Sequence, residues 1–192
     1  MNARVTPAYI EFGVQSNFSF LRGASRPEEL VLASCLLGHA GMGLADRNTV
    51  AGVVRAWNQS KHIKLTPDTE EIQYPYHPGC RLVFADGTPD ILAYPRDRKG
   101  WGHLCRMLTQ ANLREEAEKG ATLLRLDDLL EWGGHMSLAV LPELVTATDD
   151  LALLRRLKEC FGKALRLAVA PDYRGNDRFR IEQAAAVATA AK

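Results

Sequence analysis

Gly43-Leu-Ala-Asp-Arg-Asn-Thr-Val-Ala-Gly-Val-Val-Arg-Ala56 decides how this chain is read, because its hydrophobic period changes partway along. Met42 to Ala45 is a short apolar run of strand type, and Asp46-Arg47-Asn48 ends it. Val50, Val53, Val54 and Trp57 then recur at helical spacing. A strand that feeds directly into a helix is the unit from which parallel sheets are wound.

The alternation continues on both sides. Upstream, Tyr9 to Val14 is strand-like and runs through Ser16-Asn17-Phe18-Ser19-Phe20 to a turn at Arg22-Gly23-Ala24-Ser25. Ser25 is placed to cap a helix, Pro27 falls in its first turn, and Glu28 completes a capping-box pattern with Ser25. Leu30, Ala33, Ser34 and Leu37 keep the helical spacing until Gly38 or Gly41 ends it. Downstream, Lys61 to Pro78 lacks periodicity and is expected to be an excursion with at most one short strand. Cys80 to Ala85 and Ile91 to Tyr94 read as strands of a hairpin turning at Asp86-Gly87-Thr88-Pro89. Helices are expected over 101–118, 127–132, 148–161 and 177–191, and strands over 137–141 and 165–170. This order predicts an α/β protein with a parallel sheet, and periodicity leaves a doubly wound sheet and part of a β/α barrel both open.

Composition bounds the function. With 192 residues, 46% hydrophobic and 24% charged, the chain is expected to be one globular domain spanning 1–192. Lys+Arg 24 against Asp+Glu 23 leaves a net charge of +1, so any contact with DNA must come from a local patch or from residues outside the chain. Cys35, Cys80, Cys105 and Cys160 form no C-x-x-C pair and read as cytosolic thiols. No apolar run is long enough to span a membrane, and a cytoplasmic location is expected. The phosphate-loop, dinucleotide-fingerprint and nucleophile-elbow signatures are absent.

Tyr9-Ile-Glu-Phe-Gly-Val-Gln-Ser-Asn-Phe-Ser-Phe-Leu-Arg-Gly-Ala-Ser-Arg-Pro-Glu-Glu-Leu30 resembles the opening of the PHP domain (polymerase and histidinol phosphatase) of bacterial C-family DNA polymerase alpha subunits, in particular the error-prone branch. Gly43 to Ala56 is similar to the second motif of that family. Gly79-Cys-Arg-Leu-Val83, Asp90-Ile-Leu-Ala-Tyr-Pro95 and Gly102-His-Leu-Cys-Arg-Met-Leu-Thr109 follow in the family's order, and the similarity covers residues 8–182. The resemblance implies a distorted (β/α) barrel of PHP type, partial or truncated because the chain stops after the Tyr173 to Arg178 block and holds no polymerase core. An open edge would then be covered by the remainder of a polymerase chain, another replication or repair protein, or a second copy.

The resemblance also implies a cluster of metal ligands for phosphoester hydrolysis, and this chain departs from it. The family's His-x-His reads Gly13-Val14-Gln15, its Asp-His reads Asp46-Arg47, a later imidazole falls at Trp57, and a glutamate falls at Arg81. Glycine has no ligand atom, the Gln15 amide is a poor substitute for imidazole, and a guanidinium repels a cation. Asp46 is the one matched candidate for a metal ligand. Arg47 and Arg81 are expected to form an ion-pair network around Asp46, or alternatively an anion pocket for phosphate. His39, His62, His77, His103 and His135 lack ligand spacing, and only His62 with His77 is a candidate pair for an adventitious metal. Trp57, Trp101 and Trp132 are expected to fill packing sites, although an aromatic beside Arg98 or Lys99 could stack on a base. Ser16 and Ser19 read as turn formers.

The expected function is therefore that of a PHP-like N-terminal domain of an error-prone DNA polymerase III alpha-type subunit. Its expected role in replication and repair after DNA damage is structural or partner-binding, with no cofactor and only indirect contact with DNA. The alternative is a phosphoesterase or nuclease, completed beyond this chain, that uses zinc, manganese or iron.

Overall fold

The computed structural model describes residues 8–64, 70–117, 120–141, 148–171, 173 and 175–191. It divides into two compact units, Met1–Arg81 and Leu82–Lys192. In the first, β1 (Ile10–Val14), α1 (Pro27–Leu36), β2 (Gly41–Arg47), α2 (Val53–Lys61) and β3 (Tyr76–Leu82) follow one another. β2 pairs in parallel with β1 on one side and β3 on the other. Gly41 to Asp46 are all buried, as a central parallel strand covered on both faces requires. Met42 and Leu44 pack in a core cluster with Val31, Ala56, Ile63 and Tyr74.

Helix α1 begins one residue later than its capping pattern suggested. Arg26, not Ser25, is the N-cap, and its N–H donates to the Glu29 carboxylate at 2.8 Å. Pro27 accounts for the shift. Its ring disfavours helical backbone in the preceding residue, so Arg26 is extended at φ −73° and ψ 152°, and the proline takes the first helical position. In the excursion, Ile63 and Ile72 form an antiparallel bridge, residues 65–69 lie outside the described set, and β3 starts at Tyr76, ahead of the expected Cys80.

The second unit contains β4 (Asp90–Pro95), α3 (Arg98–Asn112), α4 (Leu126–Trp132), β5 (Met136–Leu141), α5 (Thr148–Phe161), β6 (Leu165–Leu167) and α6 (Asp177–Ala190). β5 runs antiparallel to β4 and parallel to β6, so the parallel pairing expected from the strand–helix alternation holds for β5 and β6 but not for β4 and β5. Two helices, α3 and α4, lie between β4 and β5, whose directions are opposed. A single helix, α5, connects β5 to β6 and preserves direction.

Helix α3 stops at Asn112, short of the expected 118, a position outside the described residues. Just past its end, the Arg114 guanidinium grips the buried carboxylate of Asp128 on α4 through contacts of 2.6 and 3.0 Å. A bidentate pair of this kind fixes orientation as well as distance. Strand β6 ends at Leu167, before the expected Ala170. Among the described residues, no helix is long and apolar enough to cross a membrane.

Truncating Leu44 tests the core of the first unit. Leu44→Ala is expected to lower the unfolding free energy by about 2–5 kcal/mol in urea titration. Val54→Ala, at a 71% exposed position of α2, is expected to change it by less than about 0.5 kcal/mol.

Candidate functional site

Asp46 lies near the C-terminal end of β2 and is 1% exposed. A buried carboxylate must recover inside the protein the hydrogen bonds it gives up in water. Here the loop after β1 supplies them. The Ser16 N–H and Ser16 Oγ each donate to the carboxylate at 2.7 Å, and Ser19 Oγ donates at 2.6 Å. Ser19 Oγ also accepts the Arg47 N–H at 3.0 Å, while the Ser19 carbonyl accepts the N–H groups of Arg22 and Gly23 at 2.9 and 3.0 Å. Both serine hydroxyls are thus committed donors in a buried network. That supports their reading as turn formers and adds the partner that sequence reasoning missed. The available signal was an acid at the end of an apolar strand, which had to find donors somewhere.

Helix α2 closes over this network. A Cβ built on Gly52 would lie 3.1 Å from Asp46 Oδ2 and 2.8 Å from the Pro27 ring, so the absence of a side chain permits the approach. Gly13 has a different role. Its φ is +79°, and it lies where the β1–β2 register slips: Glu11 pairs with Met42, but Val14 pairs with Leu44. This is an extra residue in one strand, with glycine in the left-handed conformation that such a bulge favours. The position that the family fills with an imidazole therefore lacks a side chain and is also bent. Gln15 follows, partly buried, just beyond the end of β1.

The two arginines are brought together, although not around Asp46. Arg47 and Arg81 are directly paired in the β2–β3 register, so their side chains leave the same face. Asp46 pairs with Cys80 and faces the opposite way. Among the described residues, no ion pair involves Asp46, and its carboxylate is held by the serines. The expected network of Asp46 with arginines is thereby corrected, for the simple reason that adjacent strand residues point to opposite sides. Trp57 is also corrected: it is 52% exposed on α2, with the Lys61 ammonium 5.9 Å from its ring centre, and does not fill a packing site.

The residues at the ligand-like positions do not fit a divalent metal centre. Gly13 offers no donor, Arg47 and Arg81 are cationic, and the Asp46 oxygens already accept hydrogen bonds from three donors. Among the described residues, no group of three or more His, Cys, Asp or Glu side chains is placed to hold a metal. His39 contacts Ser34 at 3.2 Å, His62 contacts Glu71 at 3.1 Å, and His77 lies against the Phe12 ring. In the second unit, His135 Nδ1 meets Asp97 at 2.7 Å. Asp97 caps α3 and accepts the Gly100 N–H at 2.8 Å. That backbone bond first, and the His135 contact second, hold the Asp97 carboxyl below the usual aspartate range.

No protein-family model matches the chain. Among solved structures, a protein named as a metal-dependent phosphoesterase from Bifidobacterium adolescentis superposes with a TM-score of 0.64 at 16% identity, covering 97% of this chain and 85% of that one. An amidohydrolase from Chromobacterium violaceum, solved with bound sulfate and no metal, gives 0.60 at 14% identity, over 96% and 83%. The fold is thus α/β, a partial, distorted (β/α) barrel of PHP type. In sequence, the chain is 69% identical over its whole length to an error-prone DNA polymerase of Mesorhizobium japonicum. It is 49% identical to that of Sinorhizobium medicae and 50% identical to error-prone DNA polymerase 1 of Rhizobium meliloti, each over 94% of the chain. The chain spans only 16%, 15% and 15% of the length of these relatives. Over its length the chain thus matches a part of the error-prone DNA polymerases, as a PHP domain of that family.

Removing the Asp46 carboxylate would leave buried donors without an acceptor. Asp46→Ala is expected to cost about 3 kcal/mol or more by chemical denaturation, and Ser19→Ala about 1–2 kcal/mol. Asp97 generates a pH prediction. Its folded pKa is depressed, so its stabilising contribution is complete above the unfolded aspartate value and is lost as pH falls through the folded one. The wild-type protein is expected to lose its stability advantage over Asp97→Asn as pH falls below the usual aspartate range, as read from urea midpoints.

Proposed function

We propose that residues 1–192 form a single PHP-like domain at the N-terminal end of an error-prone DNA polymerase of the III alpha type. Its role is structural or partner-binding, and it has no phosphoesterase centre of its own. The observation that carries this reading is the state of Asp46. The only matched ligand candidate is spent on holding the loop after β1, while its neighbour in the motif is a guanidinium on the opposite face. The domain therefore keeps the scaffold of its structural relatives and uses the acid to shape a loop. In the larger polymerase it would support the catalytic core or engage replication and repair proteins during synthesis across damaged DNA, in the cytoplasm.

Arg47 and Arg81 give this face a second property. Two guanidinium groups on neighbouring strands suit an oxyanion, which the arginine fork binds without a metal. The sulfate in the Chromobacterium amidohydrolase is consistent with anion capacity on this kind of fold.

Elemental analysis of protein purified without chelators tests the main reading. Zinc, manganese and iron are expected well below one ion per chain, with no hydrolysis of bis(p-nitrophenyl) phosphate. Stoichiometric metal together with turnover would establish the phosphoesterase alternative instead. For the arginines, pyrophosphate at low salt is expected to bind with a Kd below about 1 mM, weakened about tenfold in Arg47→Ala. Calorimetry showing no heat of binding up to several millimolar, a concentration range set by that affinity scale, would remove the anion site.

A further inference from the structure

The loop that Asp46 anchors ends in a feature that the fold does not use. Phe20 is 83% exposed and Leu21 is 86% exposed, immediately after the buried Ser19. Leu21 also has φ +60°, a conformation that L residues other than glycine, asparagine and aspartate rarely adopt. A branched apolar side chain held there without burial is an unfavourable combination. Such strain persists only where the surroundings enforce it, and here the Ser16–Ser19–Asp46 network does so. The tip is therefore a rigid display of apolar side chains on a polar anchor.

The ionisable residues of the loop itself are basic, with Glu11 before it, Glu28 and Glu29 after it, and Asp46 buried beneath it. From Phe12 to Pro27 the sequence contains Arg22 and Arg26 and no acid. Ser19 also joins two separate segments at this point. Its carbonyl holds the Arg22 N–H, and its hydroxyl holds the Arg47 N–H. Two exposed arginines thus emerge from backbone fixed to the residue that precedes Phe20. In a chain with a net charge of only +1, two basic residues thus start from backbone held beside the residue that carries the exposed Phe20 ring.

We propose that this tip binds single-stranded DNA, with Phe20 stacking on a base and Arg22 and Arg47 taking the flanking backbone phosphates. Aromatic stacking accepts any base, and guanidinium contacts track the backbone, so the contact would be tolerant of sequence. That suits a domain whose relatives are named DNA polymerases. An apolar protein partner would be served by Phe20 and Leu21 but would leave Arg22 and Arg47 unused, which favours the nucleic acid. The inference goes beyond the proposed scaffold role and does not depend on the metal content of the domain.

Fluorescence anisotropy with a labelled oligothymidylate of about 20 nucleotides, in about 50 mM salt, tests it on the 192-residue chain. The wild-type protein is expected to bind, and to bind more weakly as salt rises. Phe20→Ala is expected to weaken binding about tenfold, and Phe20→Trp to restore it with quenched indole emission. Arg22→Ala is expected to lower the slope of log affinity against log salt by about 0.7. Val54→Ala, exposed on α2, is expected to bind as wild type, and melting curves should show all the variants folded. No wild-type binding at about 100 µM protein, salt-independent binding, unchanged affinity in both Phe20→Ala and Arg22→Ala, or failure of Phe20→Trp to restore binding would each overturn the proposal.

Discussion

A carboxylate sealed at the end of a central strand leaves its surroundings little freedom. Asp46 is nearly inaccessible, and it must be met by donors that the rest of the first unit brings to it. The loop after β1 has to fold back so that Ser16 and Ser19 reach it. Helix α2 has to start on a residue without a side chain, because Gly52 sits against the same carboxylate. Strand β1 carries its extra residue at Gly13 just before the loop begins. The exposed tip with Phe20 and Leu21 is positioned by the same constraint, since its preceding residue is fixed on both its hydroxyl and its carbonyl.

The large elements were legible in the sequence because their periods are clean. The strand–helix run through Gly43 to Ala56 became β2 and α2, and the alanine-rich segment became α6. What escaped was set by interactions that period does not report. The start of α1 turned on the backbone restriction that Pro27 places on Arg26, which outweighed the better capping chemistry of Ser25. The reversal between β4 and β5 follows a connection with two helices, α3 and α4, and a hydrophobic period does not report the direction in which such a connection returns. At the site, the positions of Asp46, Arg47 and Arg81 along their strands were legible, whereas their facing was misjudged: alternation along β2 separates the acid from the arginines. Gly13 was visible as a missing ligand, but its positive φ required the register slip.

Fold and chemistry are separable in this chain. The scaffold matches proteins named as a metal-dependent phosphoesterase and an amidohydrolase at 16% and 14% identity, so very different side chains support the same arrangement. A strand end is a convenient place for a reactive or binding group because the strand holds it rigidly and the loop around it can vary. Here the strand end holds an acid turned toward structure and a base turned toward solvent.

The Ser16 amide has an unusual partner. It lies outside the strand ladders, and its hydrogen-bond acceptor is a side chain thirty residues away in the sequence. Its proton can exchange with solvent only when Asp46 lets go, and Asp46 is held in the buried C-terminal end of β2. The exchange rate of this one loop amide therefore reports the opening of the first unit's interior, so a surface turn shares the slow clock of the core.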